Sequence, residues 1–121
     1  GVGGALAGLR RIANGPFTLD EAVALDDLEA RVAERGAAGV LLTPLEAVAR
    51  VVPVVEVDAD DARLVGHGRG IGLVDGALPD AATRVGLAAG GRLIALHDVA
   101  PAVDGGVRAT RPVVVLAEDP A

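Results

Sequence analysis

Apolar positions along the chain change period several times, and each change marks an element. From Leu25 to Arg35, Leu25, Leu28 and Val32 recur at i, i+3 and i+7, the period of one helix face. Asp26 and Asp27 stand in its first turn, Arg31 and Arg35 toward its end, and Gly36 follows as a C-cap. That order suits the helix dipole, and Asp27 and Arg31 are spaced as an i, i+4 pair. Thr43-Pro44-Leu45-Glu46 is an N-cap with proline at the first helical position, predicting a helix through Ala49. Nearer the start, Leu6 to Arg11 alternates with period two, which predicts a strand. Leu6, Gly8 and Arg10 point one way and Ala7, Leu9 and Arg11 the other. Gly15-Pro16 breaks that strand, and Thr18 with Glu21 has the spacing of a capping box opening a helical turn. Gly1-Val2-Gly3-Gly4 precedes it without Met or a capping residue, so the sequence is expected to begin inside an element.

From Val51 the pattern turns to β. Val51 to Val57 predicts a strand with Pro53 near its start or on an edge, and Asp58 caps a helix from Ala59 to Gly66. The loop His67-Gly68-Arg69-Gly70-Ile71-Gly72 ends that helix. Arg84–Ala89 and Arg92–His97 flank Gly90-Gly91, a two-residue hairpin signal. After a long loop, Arg111 to Leu116 predicts the last strand. The whole is expected to be α+β. Residues 1–50 would carry one strand and helices, and residues 51–121 a small mostly-β barrel with one helix.

Composition narrows the chemistry. The 121 residues are 51% hydrophobic, chiefly Ala, Val and Leu, with one Phe and no Tyr or Trp. A core must therefore be built from small aliphatic side chains. The absence of cysteine excludes disulfides, thiol nucleophiles and Cys-ligated zinc. His67 and His97 lie far apart, so neither a metal site nor a cofactor is expected. No apolar run approaches the ~20 residues needed to span a bilayer, and nothing reads as a signal peptide. A soluble, cytoplasmic, monomeric protein is the expectation.

The net charge of −6 argues against nucleic acid, but its distribution does not. Residues 1–17 hold Arg10 and Arg11 and no acid, whereas residues 18–61 hold eleven acids against Arg31, Arg35 and Arg50. Residues 62–121 are balanced, with six charges of each sign. Both ends are thus available to an anionic partner while the acidic middle, a solvated helix face, points away. Without aromatic platforms, RNA would be held by phosphate contacts and the shape of a folded stem.

Several motifs carry a resemblance. Leu9-Arg10-Arg11, Gly15-Pro16-Phe17 and Leu19-Asp20-Glu21-Ala22 resemble, in order and spacing, the motif closing the catalytic domain of the TruB family of bacterial tRNA pseudouridine synthases. Ala24-Leu25-Asp26-Asp27-Leu28 is similar to the helix start that follows it in the family. Ile12, Ala13 and Asn14 depart from the family's Thr, Arg and Val, so one arginine expected on RNA is missing. Asp60-Asp61-Ala62-Arg63 with His67-Gly68-Arg69, and the ending Arg111-Pro112-Val113-Val114-Val115, resemble segments of the PUA-type RNA-binding domain at the C-terminus of these enzymes.

The resemblance implies the C-terminal part of such an enzyme, which isomerises a T-loop uridine of tRNA to pseudouridine after flipping the base into a pocket. It also implies a PUA-like barrel after a short helical linker, the T-arm of tRNA as partner, and Leu9 as an apolar wall of the uridine pocket. Arg10 and Arg11 would include one pocket-facing residue and one phosphate contact. His67, Gly68, Arg69 and Gly70 would meet RNA, whereas spacing alone reads them as a helix C-cap and turn. The family's catalytic Gly-x-Leu-Asp motif is absent, since Leu19-Asp20 and Leu25-Asp26 do not follow Gly-x, and there is no Tyr for its base-stacking position. This chain alone is therefore expected to be inactive, with no catalytic residue of its own. The alternative reading is an acidic protein-interaction or regulatory module.

Overall fold

The computed structural model describes residues 1–74, 76–100 and 108–116, with side chains of 108 and 109 left aside. The long loop expected before the last strand falls within 101–107, outside the described residues. The chain is α+β and divides into two compact units, Gly1–Leu41 and Leu42–Ala121.

The first unit corrects one expectation. Leu6 to Arg11 forms no strand: residues 1–12 have no regular structure, and Leu9 is 86% exposed. Period-two alternation makes a strand only where a neighbouring strand takes up its amides, and no such ladder forms here. The pairing begins later, as β1 (Ala13–Asn14) and β2 (Phe17–Thr18) close an antiparallel hairpin around Gly15-Pro16. Gly15 takes a left-handed φ of 56°, so this glycine-proline pair builds a turn rather than ending a strand. Thr18 then opens a 3-10 turn, Leu19–Glu21, its N–H reaching the Glu21 carboxylate at 3.5 Å.

Helix α1 (Leu25–Arg35) has the expected bounds and ends on Gly36 at φ 76°. Its apolar face is half-buried at Leu28 and Val32, while Leu25 stays exposed and Asp27 makes no ion pair with Arg31. No residue of this unit is buried.

The second unit opens with α2 (Pro44–Ala49), whose capping box is complete. Glu46 N–H donates to Thr43 Oγ1 at 3.1 Å, and Thr43 N–H donates to the Glu46 carboxylate at 2.7 Å. Val51 and Val52 do not join the following strand, because their N–H groups continue the helix end by donating to the Val48 carbonyl. The strand is therefore shorter than its run of valines, β3 (Val54–Glu56). Asp58 caps α3 (Ala59–Gly66), accepting from Asp61 N–H at 2.8 Å. There follow β4 (Gly72–Leu73), β5 (Arg84–Ala89), β6 (Arg92–Val99) and β7 (Arg108–Val115).

The sheet runs β3-β5-β6-β7-β4, with β3 parallel to β5 and every other pair antiparallel. Among the described residues β3 and β4 remain its two edges, so the sheet is open rather than a closed barrel. Gly90 and Gly91 make the β5–β6 turn at φ 58° and 76°, and Gly90 N–H donates to Glu56 Oε1 at 2.9 Å. Pro112 stands inside β7 opposite His97, beside the register slip between Leu96 and His97, the kind of irregularity at which sheets accept proline. Val65 from α3 packs with Ile71, Leu73, Leu78, Val85, Leu87, Ala95 and Val99 as the core. Helix α2 lies against β5 and β6 at Gly86, whose missing side chain leaves room for Val48.

Candidate nucleic-acid interface

The C-terminal end of α3 and the glycine-rich loop form the most organised candidate surface. Three N–H groups finish the helix: His67 donates to the Arg63 and Leu64 carbonyls, Gly68 to Val65 and Arg69 to Leu64, at 2.9–3.1 Å. Gly68 takes φ 76°, the left-handed conformation that such a helix end requires. His67, Gly68, Arg69 and Gly70 are all exposed. The structure thus brings these four together, and their roles in binding are a matter for proposal.

Two further residues belong to the same face, although sequence reasoning passed over them. Arg63 stands four residues before His67, hence one helical turn away on the same side. That spacing was the available signal. Both line a groove of about 550 Å³ with Ala59, Ala62, Gly66, Val115 and Leu116. Besides Arg63, α3 contributes the small residues Ala59, Ala62 and Gly66 to its lining. Arg92 borders adjoining clefts beside Leu93 and Leu116. Neither Arg63, Arg69 nor Arg92 makes an ion pair among the described residues, whereas Arg84 is engaged by Asp98 at 3.0 Å. Free guanidinium groups beside a groove are available to an anion.

Beneath the loop lies a buried polar pair. His97, wholly inaccessible on β6, places Nδ1 2.9 Å from Thr110 Oγ1 on β7. That oxygen accepts from Ile71 N–H at 2.9 Å, while Thr110 N–H donates to the Ile71 carbonyl at 2.9 Å. One hydrogen bond joins ring and hydroxyl, and Nε2 has no partner among the described residues. The imidazole belongs to the core. Its hydroxyl partner had no sequence signal, because the two lie on different strands joined across a bulge.

Burial lowers the His97 pKa below its ordinary 6.5, since the charged ring would be stripped of water. Between the lowered value and 6.5 the unfolded chain holds more protons than the fold. The stability that the neutral His97 contributes is therefore fully present above pH 6.5 and is lost as the pH drops below it. Urea midpoints measured at pH 7.5 and 5.0 should differ more for the wild type than for His97→Asn. Equal differences would mean that His97 is not the source.

Leu9, Arg10 and Arg11 belong to the first unit and are exposed, on irregular backbone rather than on alternating faces of a strand. Arg11 borders a shallow depression with Ile12, Phe17 and Ala22. Among the described residues no cluster of His, Asp or Glu could hold a metal ion, and no helix is long and apolar enough to cross a membrane.

No protein-family model matches the chain. Among curated proteins, the tRNA pseudouridine synthase B of Ralstonia pickettii is 44% identical over 81 residues, covering 67% of this chain and 24% of that protein. The protein of the same name from Thermobifida fusca is 44% identical over 72 residues, covering 59% and 22% respectively. That from Cupriavidus pinatubonensis is 37% identical over 114 residues, covering 92% and 35%. The chain thus spans about a quarter to a third of the length of these relatives. Through nearly all of its residues, then, the chain is similar to part of proteins that carry the name tRNA pseudouridine synthase B.

Proposed function

We propose that this chain is the C-terminal portion of a tRNA pseudouridine synthase, the part that docks tRNA and walls the uridine pocket. The observation that carries this reading is the 37% identity over 92% of the chain with a protein of that name. The parent enzyme would convert a T-loop uridine to pseudouridine in the cytoplasm, as a monomer. Residues 1–50 would end its catalytic domain and residues 51–121 form a PUA-like RNA-binding unit, with α2 as the linker seated on that unit. Leu9 would present its apolar side chain to the flipped base, and Arg10 or Arg11 a charge to a phosphate. Arg69, on a loop whose glycines let the backbone come close, would meet the phosphates of the T-arm together with His67, Gly68 and Gly70. Isomerisation would need the attacking aspartate, which no Gly-x-Leu-Asp motif supplies here.

The test is a salt-dependent titration of the chain against a T-arm hairpin, with a scrambled hairpin as control. Preferential binding that weakens steeply with salt is expected. Arg69→Ala should weaken binding and reduce the salt slope by about one; an unchanged slope would assign Arg69 to solvent. Equal binding of both hairpins, even with the remaining enzyme restored, would favour an acidic protein-interaction module. The net charge of −6 and the scarcity of aromatic residues suit that second reading.

A further inference from the structure

We infer that the Thr110 hydroxyl, braced by His97, is the positioning residue that sets how the 67–72 loop offers Arg69 to RNA. This rests on the tRNA-docking reading above. The loop is pinned at two points, the backbone of Arg69 itself and that of Ile71. On one side Arg69 N–H is tied to the Leu64 carbonyl at 3.0 Å, so that the residue starts from the fixed end of α3. On the other, Ile71 N–H is tied to Thr110 Oγ1, and Ile71 is itself buried. Between them Gly70 passes so close to the Thr110 carbonyl oxygen that an added Cβ would overlap it. The Arg69 stem can therefore leave the backbone in few directions, although its own side chain is exposed.

The second tie depends on a side chain. Without the hydroxyl, the buried Ile71 N–H loses its acceptor and His97 Nδ1 loses its partner at once. A buried donor without an acceptor seeks water; the Thr110 N–H still donates to the Ile71 carbonyl at 2.9 Å, so the loop provides that water by loosening locally at the Ile71 amide. An exposed arginine on a loosened loop must be ordered again each time it meets a phosphate, so the contact weakens. Thr110 touches no RNA in this scheme. It acts through the loop.

The experiment compares the full chain with Thr110→Val, which keeps the shape and removes the hydroxyl, and Thr110→Ser, which keeps the hydroxyl. Amide hydrogen exchange should show Ile71 losing about tenfold or more protection in Thr110→Val and retaining it in Thr110→Ser, with Leu87 as the reference for an intact core. Affinity for the T-arm hairpin should fall about three- to tenfold in Thr110→Val and recover in Thr110→Ser. Arg69→Ala, costing about tenfold in the wild type, should then cost less than about threefold in the Thr110→Val background. Undiminished Ile71 protection in Thr110→Val overturns the positioning role, and so does an Arg69→Ala loss that is the same in both backgrounds. If the wild type shows no preference for the T-arm hairpin, the docking reading falls. Ile71 exchange then reports separately whether Thr110 holds the loop.

Discussion

Gly70→Ala should lower stability by about 3 kcal/mol, a large effect for a single methyl group added to an exposed residue. The added Cβ would collide with the Thr110 carbonyl oxygen and lie 3.1 Å from its carbonyl carbon. These atoms belong to the backbone of β7, so no rotamer change relieves the overlap. Either the loop or the strand must move, and both movements break the Ile71–Thr110 hydrogen bonds over a buried histidine. Gly66→Ala is the control, because Gly66 is helical and a Cβ there meets nothing within 4 Å. It should be neutral or stabilising by up to about 1 kcal/mol. Urea unfolding of both variants decides the matter, and a similar shift in each would show that close approach is not what Gly70 supplies.

Gly86→Val is the second large effect, expected to cost about 3 kcal/mol. A Cβ at this buried position would lie 2.9 Å from Val48 Cγ1 and 3.3 Å from both Leu93 Cδ1 and Val54 Cγ2. One methyl could be met by small side-chain adjustments. Valine adds two more γ-carbons, and the accessible response is for α2 to rise from β5. Val48→Ala in the same chain should restore part of the loss, giving a coupling of about 1 kcal/mol in a double-mutant cycle. If the two substitutions simply add, α2 is not seated through this contact.

The elements legible from sequence were those whose signals are local. The ends of α1, α2 and α3 follow from Gly36, Thr43 with Glu46, and Asp58, each acting within one helical turn. The β5–β6 hairpin follows from two adjacent glycines. What escaped depends on distant partners. The alternation of Leu6 to Arg11 is real, but no neighbouring strand takes up its backbone. Val51 and Val52 have strong β propensity, yet their amides are claimed by the end of α2. The two-residue β4 is a strand only because β7 runs beside it.

The candidate surface divides in the same way. Helix end, glycines and exposed Arg69 could be read in order along the chain. Thr110 could not, because it lies 39 residues beyond the Ile71 amide that it binds. A threonine in a strand is ordinary until its neighbours across the sheet are known. His97 gave half of the clue, as a titratable ring in an apolar strand. The hydroxyl that explains it required the fold.

The placement of β7 also bears on the order of folding. Strand β3 and the loop after α3 are synthesised early, but their partners are β5 and β7. Among the described residues the β5–β6 hairpin joins its two long strands by the shortest connection, which makes it the natural nucleus. On an emerging chain β4 must wait, unpaired, until residues 108–115 have left the ribosome. The proposed RNA-facing loop would therefore acquire its shape last, from the final strand of the sheet. A nascent chain stalled before that point would carry Arg69 without the backbone that holds it.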